Sequence, residues 1–135
     1  MDLYWLCKSK MSYEVEIDVS EAVGRIEEAS KVIKDKIAQG TQTAGFYMEG
    51  EVKASIAGQR SEPTSVDTGK FLNSVTTQTE GLNTKVYTDV EYAKYLEYGT
   101  SRIAPRRHFA NSLIRNTDKI KEYIANKIKE IWKKF

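Results

Sequence analysis

Two stretches of helical periodicity, one near each end of the chain, leave room for only a short strand-rich segment between them. In the first, Ser20 precedes Val23, Ile26, Val32, Ile33 and Ile37, and Ala44, Tyr47, Met48, Val52 and Ile56 restore the period further on. Residues three and four apart share a helix face, so this set forms one apolar stripe. Ser20 is the expected N-cap, although Val23 is not the Glu or Gln that completes a capping box. Gly40 is expected to kink this helix or end it, which leaves one long helix or a broken pair reaching about Ala57. The second stretch carries Phe109, Leu113, Ile120, Ile124, Ile128, Ile131 and Phe135 at spacings of three, four and seven. Lysines crowd its last turns, where the helix dipole favours cations.

The intervening residues read as loops and strands. Residues 58–65 contain Gly, Ser, Pro63 and Thr and form a loop. Asp67, Thr68 and Gly69 lead into a capped short helix. Ser74–Thr79 and Thr84–Thr88 are β-branched and alternating, and a turn at 80–83 pairs them as a hairpin. Tyr92, Ala93, Tyr95 and Leu96 mark another short helix, with Gly99 at the position of a C′ glycine. Upstream, Tyr13–Asp18 alternates apolar and acidic residues, the period of a half-buried strand. The order β-α-β-β-α-α predicts an α+β fold, with a long N-terminal helix and a C-terminal helix packed on a small antiparallel sheet. At 135 residues the chain suits a single domain over 13–135, and 1–12 is an optional extension because Met11 offers a second start.

Charge divides the chain unevenly. The sum is only +2, yet residues 1–101 hold 11 basic and 16 acidic side chains, and residues 102–135 hold 10 and 3. So small a total does not by itself mark a nucleic-acid binder. A net of −5 against +7 suits head-to-tail neighbours in a ring, a solvated helix face, or a surface that meets phosphates. Cys7 is the only cysteine, which excludes an internal disulfide framework and a Cys-rich zinc site and fits a reducing compartment. No apolar run approaches the ~20 residues of a membrane span. No cofactor is expected.

The candidate chemistry is thin. Asp67-Thr68-Gly69 is the tripeptide of aspartic proteases, which need two such carboxylates sharing a proton, but Ser61–Ser65 precedes it in place of an apolar strand. The bland account is that Asp67 or Thr68 caps a helix. Gly69-Lys70 lacks the first glycine and the hydroxyl of a phosphate loop. His108, the only histidine, sits between Arg107 and Phe109 with no nucleophile beside it in sequence, and is expected at the surface or an interface. Tyr92 and Tyr95 are expected to share a helix face and to close the core or fill an interface.

Two segments together carry a resemblance. Val66-Asp67-Thr68-Gly69-Lys70-Phe71-Leu72-Asn73-Ser74-Val75 and Tyr92-Ala93-Lys94-Tyr95-Leu96-Glu97-Tyr98-Gly99-Thr100, followed by Ala104-Pro105-Arg106 and Phe109, resemble the head–tail joining, or tail-completion, family of long-tailed bacteriophages and proviruses. Phe71 replaces the usual leucine, and Arg107-His108 stand where a second proline often occurs. The resemblance implies a non-enzymatic virion protein, forming a usually hexameric ring between the head connector or adaptor and the tail tube or tail terminator. DNA passes through its lumen without sequence-specific contacts. It implies a place at the head–tail junction, and the host cytoplasm during assembly. Gly99 is expected to end the short helix at positive φ, Glu97 and Thr100 to hold the next loop, and 101–108 to project toward a partner or the lumen. Arg102, Arg106 and Arg107 are the basic candidates for that contact. The rival readings are a small DNA-binding protein using the basic C-terminal helix and, more remotely, a homodimeric protease on Asp67.

Overall fold

The computed structural model describes residue 16 and residues 18–134; the strand expected over 13–18 and the extension over 1–12 therefore fall almost wholly outside the described residues. The elements are α1 (Ser20–Ile56), α2 (Lys70–Ser74), β1 (Thr76–Glu80), β2 (Asn83–Tyr87), α3 (Ala93–Tyr98) and α4 (His108–Trp132). This is the α+β arrangement of two long helices on a small antiparallel sheet.

The first helix is one unbroken rod of 37 residues, about 55 Å at 1.5 Å per residue. Ser20 is its first helical residue, so the expected serine cap shifts upstream: the N-cap position is Val19, and Asp18 Oδ1 accepts the Ser20 amide at 2.9 Å. Gly40 does not end the helix. It is buried, and a Cβ there would sit 3.1 Å from the Lys127 side chain and 3.4 Å from Ile124 Cα. Its missing side chain lets two helices approach closely.

The partner in that approach is α4. Lys36 faces Glu130, Gly40 faces Lys127, Tyr47 faces Tyr123 and Asn116, and Ser55 faces His108, so α4 runs antiparallel along the second half of α1. Among the described residues the first half has no such companion, and no residue from Asp18 to Asp35 is buried.

The hairpin lies across another side of α1. Its strands pair antiparallel from Thr76 with Tyr87 to Glu80 with Asn83. Gly81, at φ 59°, takes the first central position of the two-residue turn, as type II′ geometry requires. Thr77 Oγ1 donates to Glu49 Oε2 at 2.7 Å. Gly45 makes this contact possible, because a Cβ on it would run into the Thr84 and Thr77 methyl groups. Between helix and hairpin sits the core of Met48, Val52, Ile56, Phe71, Val75 and Ala93, with Val86, Leu96, Phe109 and Ile120 packed around it.

The apolar stripe of α4 is only partly the buried one. Phe109, Ile120 and Ile131 pack inward, whereas Leu113 is half exposed. The fully covered line through the first half of this helix is His108, Ser112 and Asn116.

Two glycines in one helix should therefore respond oppositely. Gly45→Ala overpacks the stiff threonines of the hairpin and should lower stability by about 1–3 kcal/mol. Gly50 has open space around its Cα, so Gly50→Ala should gain about 0.5–1 kcal/mol from helix propensity alone. Urea unfolding followed by circular dichroism measures both.

Candidate functional site

The two motif segments meet on one flank of the molecule, where the loops before α2 and before α4 converge. Gly69, at φ 79°, precedes α2, and Thr68 Oγ1 accepts the Lys70 amide at 3.4 Å while Asp67 stays exposed. Phe71 of α2 is buried, with the rings of Tyr92 and His108 edge-on at 6.1 Å. Tyr92 and Tyr95 lie at the surface and do not close the core; Ala93 and Leu96 do that. Lys94 Nζ lies 5.1 Å above the Tyr95 ring.

The loop from Gly99 to Arg107 is held at both ends. Gly99 has φ 78°, and a Cβ there would stand 2.8 Å from Ile103 O and from the Pro105 ring, so only glycine fits both the backbone and the space. Thr100 donates its amide to Ile103 O at 2.8 Å, and its hydroxyl accepts the amides of Arg102 and Ile103. Glu97 reaches across to α4, where its two oxygens accept the amides of Phe109 and Ala110 at 3.1 and 2.9 Å. The first turn of α4 contains no acidic residue of its own, and Glu97 supplies the negative charge a helix N-terminus favours. Arg107, the N-cap residue, is the one non-glycine at positive φ among the described residues, at 54°. Arg102, Ile103, Pro105 and Arg107 point outward on this frame.

Arg106 is different. Its backbone amide donates to Leu96 O, and its Nη1 donates to Thr64 O at 2.6 Å and to Ser65 Oγ at 2.7 Å. It is a brace between loops and not a free cation. From Ser65 the bonding continues inward: Ser65 Oγ to His108 Nε2 at 2.7 Å, His108 Nδ1 to Ser55 Oγ at 2.8 Å, and Ser55 Oγ to Glu62 Oε2 at 2.7 Å. Arg115 Nη1 closes the far end on Glu62 Oε1 at 3.0 Å. A guanidinium can only donate and a carboxylate can only accept. Ser65 therefore donates to Nε2, the neutral imidazole carries its proton on Nδ1, and Ser55 donates to Glu62.

This chain corrects the expectation for His108, which is 0% exposed and bonded through both ring nitrogens. It does stand beside serine hydroxyls, as nucleophilic catalysis requires. However, the imidazole is sealed, Ser65 Oγ is engaged by Arg106, and Ser55 separates His108 from the carboxylate. The arrangement is a clamp. Sequence reading missed Ser55, Glu62, Ser65, Ser112 and Asn116, and it counted Arg115 with the basic surface of the C-terminal helix. The one available signal was the i, i+4, i+8 spacing of His108, Ser112 and Asn116. Asn116 extends the polar layer, accepting from Tyr47 Oη at 3.0 Å and donating to Ser112 O at 2.8 Å.

Electrostatics follow the bonding. Burial alone would raise the Glu62 pKa, but the hydrogen bonds from Arg115 and Ser55 outweigh it and hold the carboxyl at about 2. Burial lowers the His108 pKa against the opposing pull of the Glu97 and Glu62 charges, with Arg106 adding to the lowering. Among the described residues no three His, Cys, Asp or Glu side chains gather as a metal site, and no helix is long and apolar enough to cross a membrane. Asp67 lies exposed on the turn before α2.

Helices and a hairpin thus present a braced loop of motif residues on a domain in which no buried side-chain nitrogen or oxygen among the described residues lacks a partner. The profile of the family described as "Bacteriophage HK97-gp10, putative tail-component" matches residues 20–99, well over half of the chain, and the chain belongs to that family. No curated protein and no solved structure matches it.

The clamp sets the acid side of the stability profile. His108 takes up a proton less readily folded than unfolded, so stability is full above the ordinary histidine value of 6.5 and declines as pH falls below it. Glu62 contributes fully above 4.5, and its share is lost as pH falls toward 2. Urea midpoints taken from pH 8 to pH 3 should show both stages of decline. Glu62→Gln weakens the hydrogen bonds from Arg115 and Ser55 but leaves the one-third-exposed Arg115 hydrated, and should cost about 1–3 kcal/mol at pH 7. Glu97→Ala should cost about 1–2 kcal/mol through the lost cap, read as a fall in melting temperature.

Proposed function

We infer that this tail-component family member is a structural subunit of the head–tail joint. It assembles with copies of itself into a ring between the head connector and the tail tube or its terminator, and DNA passes through the lumen without sequence-specific contacts. The observation that carries the reading is the family match over residues 20–99, which covers both motif segments up to the glycine that starts the braced loop. The design of that loop supports it. Gly99, Thr100, Glu97 and Arg106 fix its path, so Arg102, Ile103, Pro105 and Arg107 are offered outward without ordering to be done on contact. A preorganised loop is what a partner ring binds at least entropic cost.

The basic C-terminal helix speaks less strongly for a free-standing DNA binder than the sequence does. Arg115 is taken by Glu62, Lys119 lies 3.5 Å from Glu122 and Lys127 lies 3.4 Å from Glu130. Cations paired in this way offer less to phosphates.

Complementation of a phage lacking this gene tests the reading. The wild-type chain should restore joined, infectious particles. Gly99→Val should fold with the core intact yet leave filled heads and free tails, seen by negative-stain microscopy. Normal titre from Gly99→Val would overturn the role of the loop. A purified chain that binds DNA tightly in a salt-sensitive manner, and never associates with heads or tails, would favour the DNA-binding reading.

A further inference from the structure

The amino-terminal arm of α1 and a groove beside the carboxyl-terminal half of the same helix are matched in length, polarity and charge. Lys36 is the last point at which α4 touches the arm, 4.0 Å from Glu130. Beyond it, Val19, Val23, Ile26 and Ile33 recur at spacings of four, three and seven along one face. Among the described residues nothing covers this face: Ile26 is 68% and Val23 46% exposed. Hydrophobic spacing of this regularity is the mark of a helix that packs against something.

The groove is an open cavity of about 700 Å³ lined by Met48 and Val52 of α1, Leu82 and Val86 of the hairpin, and Phe109 and Ile120 of α4. It follows α1 from Thr41 to Val52, about 16 Å at the helical rise. The apolar face from Val23 to Ile33 covers about 15 Å by the same measure. An amphipathic helix reading i, i+3, i+7 into such a groove is a recurring mode of recognition. Charge agrees at the tip of the arm. Residues 16–28 hold Glu16, Asp18, Glu21, Glu27 and Glu28 against Arg25, a net of −4, whereas residues 29–36 hold Lys31, Lys34 and Lys36 against Asp35, a net of +2. The acidic tip complements α4 and its end, where residues 108–134 hold seven basic and three acidic side chains, a net of +4. Of the two charged residues that line the groove, Glu97 is committed to the α4 amides, which leaves Lys85 as its cation.

We propose that the α1 arm of one copy lies in this groove of the next copy. The arm and the groove are different surfaces of one chain, so the contact is heterologous and repeats head to tail until the rotation between subunits closes a ring. The proposal rests on the self-assembly reading above and names the surfaces through which it occurs. The alternative, α1 arms pairing with each other as a coiled coil, has less to stand on. Its seam from Val19 to Ile37 is interrupted by Ser30 and is shorter than the three to four heptads that sustain one. It also leaves the groove uncovered.

Thiol crosslinking of the full chain tests this, with Cys7→Ser as background. Copies carrying Ile26→Cys and copies carrying Leu82→Cys, mixed and treated with a short bifunctional thiol reagent, should give dimers that neither gives alone. A chain carrying both substitutions should give a ladder ending at a closed ring. Lys85→Glu should cut the mixed crosslink several-fold, most at low salt. Ile26→Asp, at an exposed position, should abolish association with an unchanged unfolding midpoint. Crosslinks confined to Ile26→Cys copies, or none at any protein concentration, would overturn the proposal. Rings seen by microscopy without Ile26–Leu82 links would refute the arm contact and leave the ring reading standing. Links that build only an open, unlimited ladder would uphold the contact and refute the ring.

Discussion

The fold depends on the hydrogen-bonded chain that runs from Arg106 through Ser65, His108 and Ser55 to Glu62 and Arg115. It ties together the end of α1, the loop that follows, the loop before α4 and the first two turns of α4. Its direction is imposed by its ends, since one terminal group only donates and the carboxylate only accepts. Every hydroxyl between them has one permissible orientation. Reversing any link would leave a buried donor facing a donor, at the cost of an unsatisfied polar group. No buried side-chain nitrogen or oxygen among the described residues lacks a partner.

Such a layer adds specificity more than raw stability. Replacing a buried ion pair by well-packed apolar groups is often neutral or favourable, whereas breaking it is costly. Two amphipathic helices packed by apolar stripes alone can shift by a turn and still bury hydrocarbon. A one-turn slip of α4 against α1 here would separate Ser55 from His108 and Asn116 from Tyr47. The close approaches at Gly40 and Gly45 act in the same direction, because each lacks the Cβ that would crowd Lys127 or the hairpin threonines. Register, once fixed, places Glu97 within reach of the α4 amides.

The parts of this structure that rest on local chemistry were legible in the sequence. Helical periodicity marked α1 and α4, β-branched alternation marked the hairpin, and Gly99 announced the positive φ at which α3 ends. What stayed hidden depends on partners far along the chain. Ser55 and His108 are 53 residues apart, and Arg106 and Thr64 are 42 apart. A histidine between an arginine and a phenylalanine reads as a surface residue until a loop folds over it. Gly40 reads as a breaker until a second helix needs the space. Ser20 looked like the cap because it is the residue type that caps, but Asp18 took that bond from two positions upstream.

The split of charge between the two parts of the chain also changes meaning once the side chains are placed. Of the basic residues after position 101, Arg106 and Arg115 serve the interior, and Lys119 and Lys127 lie beside carboxylates on their own helix. What remains outward is Arg102 and Arg107 on the braced loop, Lys121 and Lys129 on α4, and Lys133 and Lys134 just past its end. The loop pair differs from the helix set in one respect. Arg107 holds a left-handed backbone that costs a residue with a Cβ about 1–2 kcal/mol. That cost is met by the Glu97 cap on one side and the Arg106 bonds on the other. The neighbours that hold this backbone fix the direction in which the Arg107 side chain leaves the domain.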